Sequence, residues 1–151
     1  MAQSLSKILL HVVFSTKYRQ DSIPPAHLAG VHRFIATICR RSKSECFRVG
    51  GTLNHVHVAC SLPRVTPPSE LVREMKQYSS RWLKEVDPAS HAFAWQDGYG
   101  VFSLGQSQLE SLCRYIDTQA EHHNLHSFND EFLQLLAHYQ VRFNEQYLWD
   151  A

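Results

Sequence analysis

The sequence predicts an α+β fold with a ferredoxin-like, split β-α-β-β-α-β antiparallel sheet, followed by C-terminal helices that carry Tyr115. Two observations lead to this prediction. Short runs rich in β-branched and aromatic residues alternate with segments whose apolar residues recur at helical spacing, in the order strand, helix, strand, strand, helix, strand. That order, with a hairpin between the middle strands, is typical of an antiparallel sheet with helices on one face.

The first half of the chain contains three predicted strands and one helix. Residues 7–15 (KILLHVVFS) predict the first strand. Pro24-Pro25 marks the start of a helix that runs to about Arg41. Its apolar residues recur at helical spacing: Leu28, Val31, Phe34, Ile35 and Ile38. Residues 45–49 and 52–62 predict the second and third strands, with Gly50-Gly51 as the turn between them.

The second half contains a helix, a short strand and two further helices. The apolar stripe of the second helix consists of Leu71, Met75, Tyr78 and Trp82, and this helix ends near Asp87-Pro88. Residues 99–104 predict the fourth strand. Ser107 and Glu110 have the spacing of a capping box, which predicts a third helix. The apolar stripe of that helix consists of Leu109, Leu112, Cys113, Ile116 and Ala120. Residues 129–139 predict a final short helix.

Composition is that of an ordinary soluble protein, with 44% hydrophobic and 19% charged residues. Residues 1–151 form one predicted domain, since no repeat, low-complexity segment or linker divides them. The net charge of +1 excludes the strongly basic class of nucleic-acid-binding protein, but a local basic patch is compatible with it. Four cysteines (Cys39, Cys46, Cys60 and Cys113) show no zinc-ribbon or C-x-x-C spacing. Without a signal peptide or a membrane-spanning run, we expect reduced thiols in a cytoplasmic protein.

The motif His55-Val56-His57 is the clearest candidate for a metal site. Side chains two residues apart on a strand point to the same face, so both imidazoles lie together while Val56 and Val58 face the other way. Two such imidazoles can converge on one metal ion. The alternative is that both histidines lie on the solvent face of the strand without a function, since H-x-H also arises by chance.

Tyr115 and Gln119 form a second candidate site on the third helix. Their spacing of i, i+4 makes them neighbours on one side of that helix, away from the centre of its apolar stripe. A tyrosine hydroxyl outside the core can act as a nucleophile, and an amide oxygen can be a neutral metal ligand. The alternative is an amphipathic tyrosine whose ring is packed and whose hydroxyl is in water.

A run of basic residues between Arg64 and Lys84 could contact nucleic acid. Arg73, Lys76, Arg81 and Lys84 can neutralise phosphates, and the interleaved Tyr78 and Trp82 can stack on unpaired bases. The alternative is that both aromatic residues belong to the core and that the charges form a solvated face. For His122-His123, at the end of the third helix, the default interpretation is helix capping.

In order and spacing, these segments resemble the small single-tyrosine transposases of bacterial and archaeal insertion sequences, which are HUH endonucleases. The resemblance covers nearly the whole chain. It includes residues 15–19 (STKYR), 50–58 (GGTLNHVHV), 95–103 (WQDGYGVFS), 115–123 (YIDTQAEHH) and 147–150 (YLWD). The family often has asparagine at the position of Thr118, which does not bear on the chemistry.

The resemblance implies a role for each candidate residue. Tyr115 would be the nucleophile, and His55, His57 and Gln119 would bind a divalent metal. The family implies Mg²⁺ or Mn²⁺, although imidazole ligands by themselves favour a softer ion than Mg²⁺. Lys17 and Arg19 join the basic residues above as candidate DNA contacts.

The implied activity is cleavage and rejoining of single-stranded DNA at hairpin-flanked element ends through a 5′-phosphotyrosine intermediate. The resemblance also implies a homodimer in which the tyrosine helix of one subunit can complete the other's active site, with Gly105 as a possible hinge. Two alternatives remain. One is a domesticated relative that binds palindromic or hairpin DNA, with or without cleavage. The other is an unrelated metal-dependent hydrolase on a ferredoxin-like sheet, which would leave Tyr115 unexplained.

Overall fold

A four-stranded antiparallel sheet with the order β2-β3-β1-β4 organises the fold. The computed structural model describes residues 2–123 and 127–149, without the side chains of His122 and His123. The strands are β1 (Leu9–Ser15), β2 (Cys46–Thr52), β3 (His55–Ser61) and β4 (Gly100–Leu104). β1 and β3 are the central strands, so every candidate residue on them is enclosed by neighbouring strands on both sides.

Six helices accompany this sheet within the described residues. They are α1 (Leu28–Arg41), α2 (Pro68–Val86), α3 (Leu109–Asp117), α4 (Gln119–His123), α5 (Phe128–His138) and α6 (Glu145–Leu148). The predicted order of strands and helices, the antiparallel sheet and the α+β class are confirmed. Among the described helices, none has the length and apolar content that crossing a membrane requires.

The two faces of the sheet differ in character. On one face, Val12, Phe14, Val56 and Val58 are fully buried among apolar residues of α1 and α2, which form the main core. On the opposite face, Val13 and Ala59 belong to smaller clusters with residues of α5 and α3. His11, His55 and His57 are also fully buried. Because strand residues alternate between faces, these histidines point to the face that α3 and α5 cover.

The hairpin between β2 and β3 turns at Leu53-Asn54, so the predicted turn at Gly50-Gly51 is wrong. Both glycines lie within β2, where Gly50 pairs with His57 and Gly51 with Val56. A Cβ atom on Gly50 would lie 2.7 Å from Cγ2 of Ile116, so this glycine lets α3 approach the sheet. Gly51 has a φ of 154°, and a Cβ there would collide with the carbonyl oxygen of His55. Close packing, not turn formation, therefore accounts for the pair.

The start of the third helix also differs from the prediction. A short 3₁₀ turn, Gln106–Gln108, precedes α3, and Gly105 donates its backbone N–H to Oε1 of Gln108 at 2.8 Å. Ser107 lies inside this turn, so the predicted cap formed by Ser107 and Glu110 is wrong. The glutamine side chain satisfies the first backbone N–H group instead.

Two predicted apolar stripes also need correction. Ala120 is exposed, because the third helix breaks at Thr118 and the chain continues as the separate helix α4. On α2, Tyr78 is 36% exposed, and the residue after it, Ser79, is buried instead. Trp82 is half-buried, packs against α1 and lies stacked on Phe34 at 5.6 Å between ring centroids.

Candidate active site

His55 and His57 lie side by side on the central strand β3, and neither side chain is exposed. Their ring centroids are 5.0 Å apart. The same-face geometry expected of the H-x-H motif is therefore present, and the alternative of two solvent-facing histidines is wrong. Burying two imidazoles is unfavourable unless their nitrogen atoms have hydrogen-bond or metal partners. The groups around each ring therefore indicate whether the pair can bind a metal ion.

Asn54 and Gln119 occupy the two sides of the His55 ring. Nδ1 of His55 lies 2.8 Å from Oδ1 of Asn54, which also accepts a hydrogen bond from Thr52 at 3.0 Å. Oγ1 of Thr52 also lies 3.0 Å from this Nδ1. With its hydrogen on Nδ1, the ring donates to the Asn54 amide oxygen. Nε2 then presents a lone pair toward Oε1 of Gln119, 2.8 Å away. Two lone pairs that face each other are suited to sharing a cation.

His57 contacts Glu131 on one side and His11 on the other. Its Nε2 lies 2.7 Å from Oε1 of Glu131, and its Nδ1 lies 2.8 Å from Nε2 of His11. The same Glu131 oxygen is 3.6 Å from Nε2 of His55. Glu131 is on α5, whose N-cap Ser127 accepts a hydrogen bond from the N–H of Asp130. The two distances place the carboxylate of Glu131 over the histidine pair.

Sequence reasoning did not predict either Glu131 or His11 as part of the site. Glu131 lies in the first turn of a helix, where an acidic residue is ordinary, and it is 74 residues from His57. His11 lies in an apolar strand, where one histidine gives no signal by itself. Only the alternation of β1, applied together with its pairing to β3, could have placed His11 on the same face as His57.

Tyr115 on α3 lies beside the histidines of its own chain. Its ring centroid is 5.6 Å from that of His57 and 6.4 Å from that of His11, with the rings nearly perpendicular. Burial and a hydrogen bond to the Glu131 carboxylate raise the pKa of Tyr115 well above its usual value. The hydroxyl is therefore protonated at neutral pH and donates to Glu131.

Gln119 meets the site although it is not on the helix that carries Tyr115. Thr118 ends α3 with φ −102° and ψ 17°, and Gln119 begins α4. The break turns Gln119 inward, so its side chain is only 1% exposed and reaches His55. The i, i+4 spacing thus brings both residues to one site, but through a helix break and not through one continuous helix.

The electrostatics of the site centre on one carboxylate. Burial by itself would raise the pKa of Glu131, but its hydrogen bonds with His57 and Tyr115 and the nearby His55 hold that pKa well below its usual value. His11 is neutral, because burial and the neighbouring His57 lower its pKa well below 6.5. The site therefore contains one buried negative charge, on Glu131, and a neutral His11 behind His57.

This arrangement fits a divalent cation. Ligand atoms of His55, His57 and Glu131 lie within 4.8 Å of one another. Oε1 of Gln119, beside His55, is a fourth candidate ligand atom. Imidazole and carboxylate ligands suit a borderline ion such as Mn²⁺ better than Mg²⁺. The buried carboxylate would offset part of the ion's charge.

Comparison with known proteins decides the family. The sequence profile of the family described as "Transposase IS200 like" matches residues 4–119, which is most of the chain. The chain belongs to this family. No curated protein matches it in sequence.

Solved structures share the fold of this IS200-like transposase at low sequence identity. One is a protein of Deinococcus radiodurans R1 designated a transposase, with a TM-score of 0.61 and 18% identity over 79% of this chain and 98% of that one. Another is a REP-associated tyrosine transposase bound to a REP hairpin, with a TM-score of 0.58 and 14% identity over 82% of this chain and 74% of that one. At these identities the likeness establishes the fold alone.

The candidate DNA contacts of the IS200-like transposase fall into two groups. Arg73, Lys76 and Lys84 line a cleft of about 410 Å³ between α2 and residues 93–99. Within it, Nζ of Lys76 donates to the carbonyl oxygens of Gln96 and Gly98 at 2.7 and 2.6 Å, and burial lowers the pKa of Lys76 to about 8. Lys76 therefore fastens this loop to α2. Arg81 instead covers the ring of Tyr78 on the exposed side of α2.

The second group, Lys17 and Arg19, follows β1 in the sequence, and Arg19 lies close in space to Trp149 near the end of the chain. Nζ of Lys17 is 5.6 Å from the ring centre of Tyr18. Arg19 donates to the carbonyl oxygen of Trp149 at 3.2 Å and lies over its indole ring. Arg19 therefore anchors the C-terminal segment. Contacts of these six basic residues with DNA stay a prediction, and the predicted capping by His122-His123 lies outside the described side chains.

Proposed function

We propose that this IS200-like transposase cleaves and rejoins single-stranded DNA, with Tyr115 as the nucleophile and His55, His57, Gln119 and Glu131 as ligands of a divalent metal. The observation that carries the proposal is the position of Tyr115. Its ring lies 5.6 Å from that of His57, and its hydroxyl is hydrogen-bonded to a member of the candidate ligand set, Glu131. A nucleophile next to a cation site is the arrangement that attack on a phosphodiester needs.

The chemical step exchanges one phosphoester bond for another. The oxygen of Tyr115 forms a bond to phosphorus, the bond from phosphorus to the 3′ oxygen of the preceding nucleotide breaks, and the products are a 5′-phosphotyrosine and a free 3′-hydroxyl. Rejoining needs no ATP because the covalent link conserves the energy of the broken bond. The metal, Mg²⁺ or Mn²⁺, would offset the negative charge that develops on the phosphate oxygens.

The residues of this chain account for the proton and for the orientation of the nucleophile. The raised pKa keeps the Tyr115 hydroxyl protonated, so its hydrogen must leave as the oxygen attacks. The Glu131 carboxylate already accepts that hydrogen bond and so orients the Tyr115 oxygen for attack. The step balances because the hydrogen that Tyr115 loses is matched by the one that the departing 3′ oxygen gains to become the free hydroxyl.

Hairpin DNA is the substrate that we propose, because one structural neighbour was solved with a REP hairpin bound. The loop that Lys76 fastens and the basic side chains beside it would lie along the DNA backbone. A homodimer, which the family resemblance implies, is part of the same proposal. Tyr115 lies beside His57 of its own chain in a single subunit, so catalysis in cis needs no exchange of helices.

The test is covalent capture of labelled single-stranded DNA from the flanks of the protein's own gene, in Mg²⁺ or Mn²⁺, on a denaturing gel. Wild-type protein should give a shifted band that Tyr115→Phe lacks. Tyr139→Phe is the matched control, because Tyr139 also lies beside His11, at 6.3 Å between ring centroids. It should retain the band.

Other outcomes of the same gel assign the protein differently. Binding of hairpin DNA without any adduct would favour a relative that only binds palindromic DNA. Cut ends without an adduct, unaffected by Tyr115→Phe, would favour a metal-dependent hydrolase. If the adduct forms, mixing Tyr115→Phe with His57→Ala protein distinguishes the two arrangements, since activity recovered in the mixture requires a tyrosine that works in trans.

A further inference from the structure

We infer that His11 is a positioning residue for the metal site: it accepts the hydrogen of Nδ1 of His57 and so holds the Nε2 lone pair of His57 toward the metal. The inference rests on the metal site proposed above. It concerns a residue that contacts neither the metal nor the DNA but acts through a ligand.

The geometry requires one hydrogen between the two rings. Nε2 of His11 and Nδ1 of His57 are 2.8 Å apart, which is a hydrogen-bond distance, and only one of the two nitrogens can carry the hydrogen. A metal can bind Nε2 of His57 only if that nitrogen is unprotonated. In the neutral ring the hydrogen is then on Nδ1, so His11 must be the acceptor.

His55, the other candidate imidazole ligand, shows the same arrangement with a different acceptor. Nδ1 of His55 lies 2.8 Å from Oδ1 of Asn54, which leaves Nε2 of His55 toward Gln119. Each candidate imidazole ligand therefore has a fixed acceptor behind it, Asn54 for one ring and His11 for the other. Acceptors of this kind set the tautomer and orientation of metal-bound histidines.

Packing alone does not explain a histidine at position 11. The side chain is 1% exposed, and Nδ1 of His11 has no hydrogen-bond partner among the described residues. Its ring neighbours are aromatic and include Phe102 at 6.0 Å and Tyr139 at 6.3 Å. A phenylalanine would pack there without the unfavourable burial of an unpaired nitrogen. The chemical reason for the imidazole therefore lies at its other nitrogen, on His57.

The test measures Mn²⁺ binding to the purified full chain by titration calorimetry. His11→Phe should weaken binding about 10- to 100-fold, the range for loss of such an acceptor, and His11→Gln should recover part of the loss through its amide oxygen. Phe102→Leu is the packing control, because it disturbs the ring next to His11 without removing the acceptor. It should lower thermal stability and leave the Mn²⁺ affinity unchanged.

A second measurement on wild-type protein does not depend on the folding of any variant. Long-range ¹H–¹⁵N spectra of histidine-labelled protein with Zn²⁺ as a diamagnetic probe should show the hydrogen on Nδ1 of His57 and an unprotonated Nε2 on His11. A hydrogen on Nε2 of His11, or equal Mn²⁺ affinity in wild type and His11→Phe, would overturn the role of His11. Absence of Mn²⁺ and Zn²⁺ binding to wild type would instead remove the proposed metal site, and this inference with it.

Discussion

Replacing Gly50 by alanine should impair DNA cleavage far more than its effect on stability suggests, because Gly50 sets the position of the helix that carries Tyr115. An added Cβ would lie 2.7 Å from Cγ2 of Ile116 and 2.9 Å from its carbonyl oxygen. Ordinary contact begins at 3.4 Å, so α3 or β2 must move by about 0.7 Å. The backbone oxygen is part of α3 and cannot rotate away as a side chain could.

The size of the effect follows from this displacement. Overpacking of this kind costs about 1–3 kcal/mol, and the lower entropy of the unfolded alanine chain returns about 0.4–1 kcal/mol. The protein should therefore remain folded. A displacement near 1 Å in a catalytic group lowers the rate about 100-fold, so we expect adduct formation to fall about 10- to 100-fold.

The assay combines urea denaturation with the rate of covalent adduct formation on labelled single-stranded DNA. Gly98→Ala is the matched control, because a Cβ there would meet its nearest atom, Nε2 of Gln96, at 3.8 Å. The adduct rates of both variants should be compared at saturating Mn²⁺ and saturating DNA, because Gly98 lies in the loop that we propose to contact DNA. If Gly50→Ala forms the adduct as fast as Gly98→Ala does, the close approach of α3 does not govern the position of Tyr115, and the reasoning fails.

Two further predictions concern acid stability and the metal site. Burial lowers the pKa of His32 from 6.5 to about 4, so its contribution to stability is present above pH 6.5 and is lost as the pH falls from 6.5 to 4, by at most about 3 kcal/mol. In urea denaturation at pH 7.5 and pH 5, His32→Gln should lose less stability than wild type, and an equal loss would contradict the prediction. Glu131→Gln should weaken Mn²⁺ binding at least about 10-fold in titration calorimetry, because the candidate site loses its anionic ligand. Asp130→Asn on the same helix turn is its control, and equal affinity of both variants would exclude Glu131 as a ligand.

The sequence by itself determined the order of strands and helices and the shared face of His55 and His57. Both depend on the local periodicity of side-chain directions, which is the same in every strand or helix regardless of the tertiary structure. The turn of the β2–β3 hairpin was misplaced, because glycine marks both a turn and a close contact. Whether Gly50 and Gly51 form a turn or a close contact depends on Ile116 and His55, which the folded chain brings against them.

Tertiary structure alone decided which side chains complete the site. Glu131 and His11 are distant in sequence from His57 and carry no local signal, yet both are within hydrogen-bond distance of it. Gln119 was predicted from a continuous helix but reaches His55 through a break at Thr118. The physical reason is that packing fixes how α3 and α5 lie across the sheet, and hydrogen-bond partners follow from that placement and not from spacing along the chain.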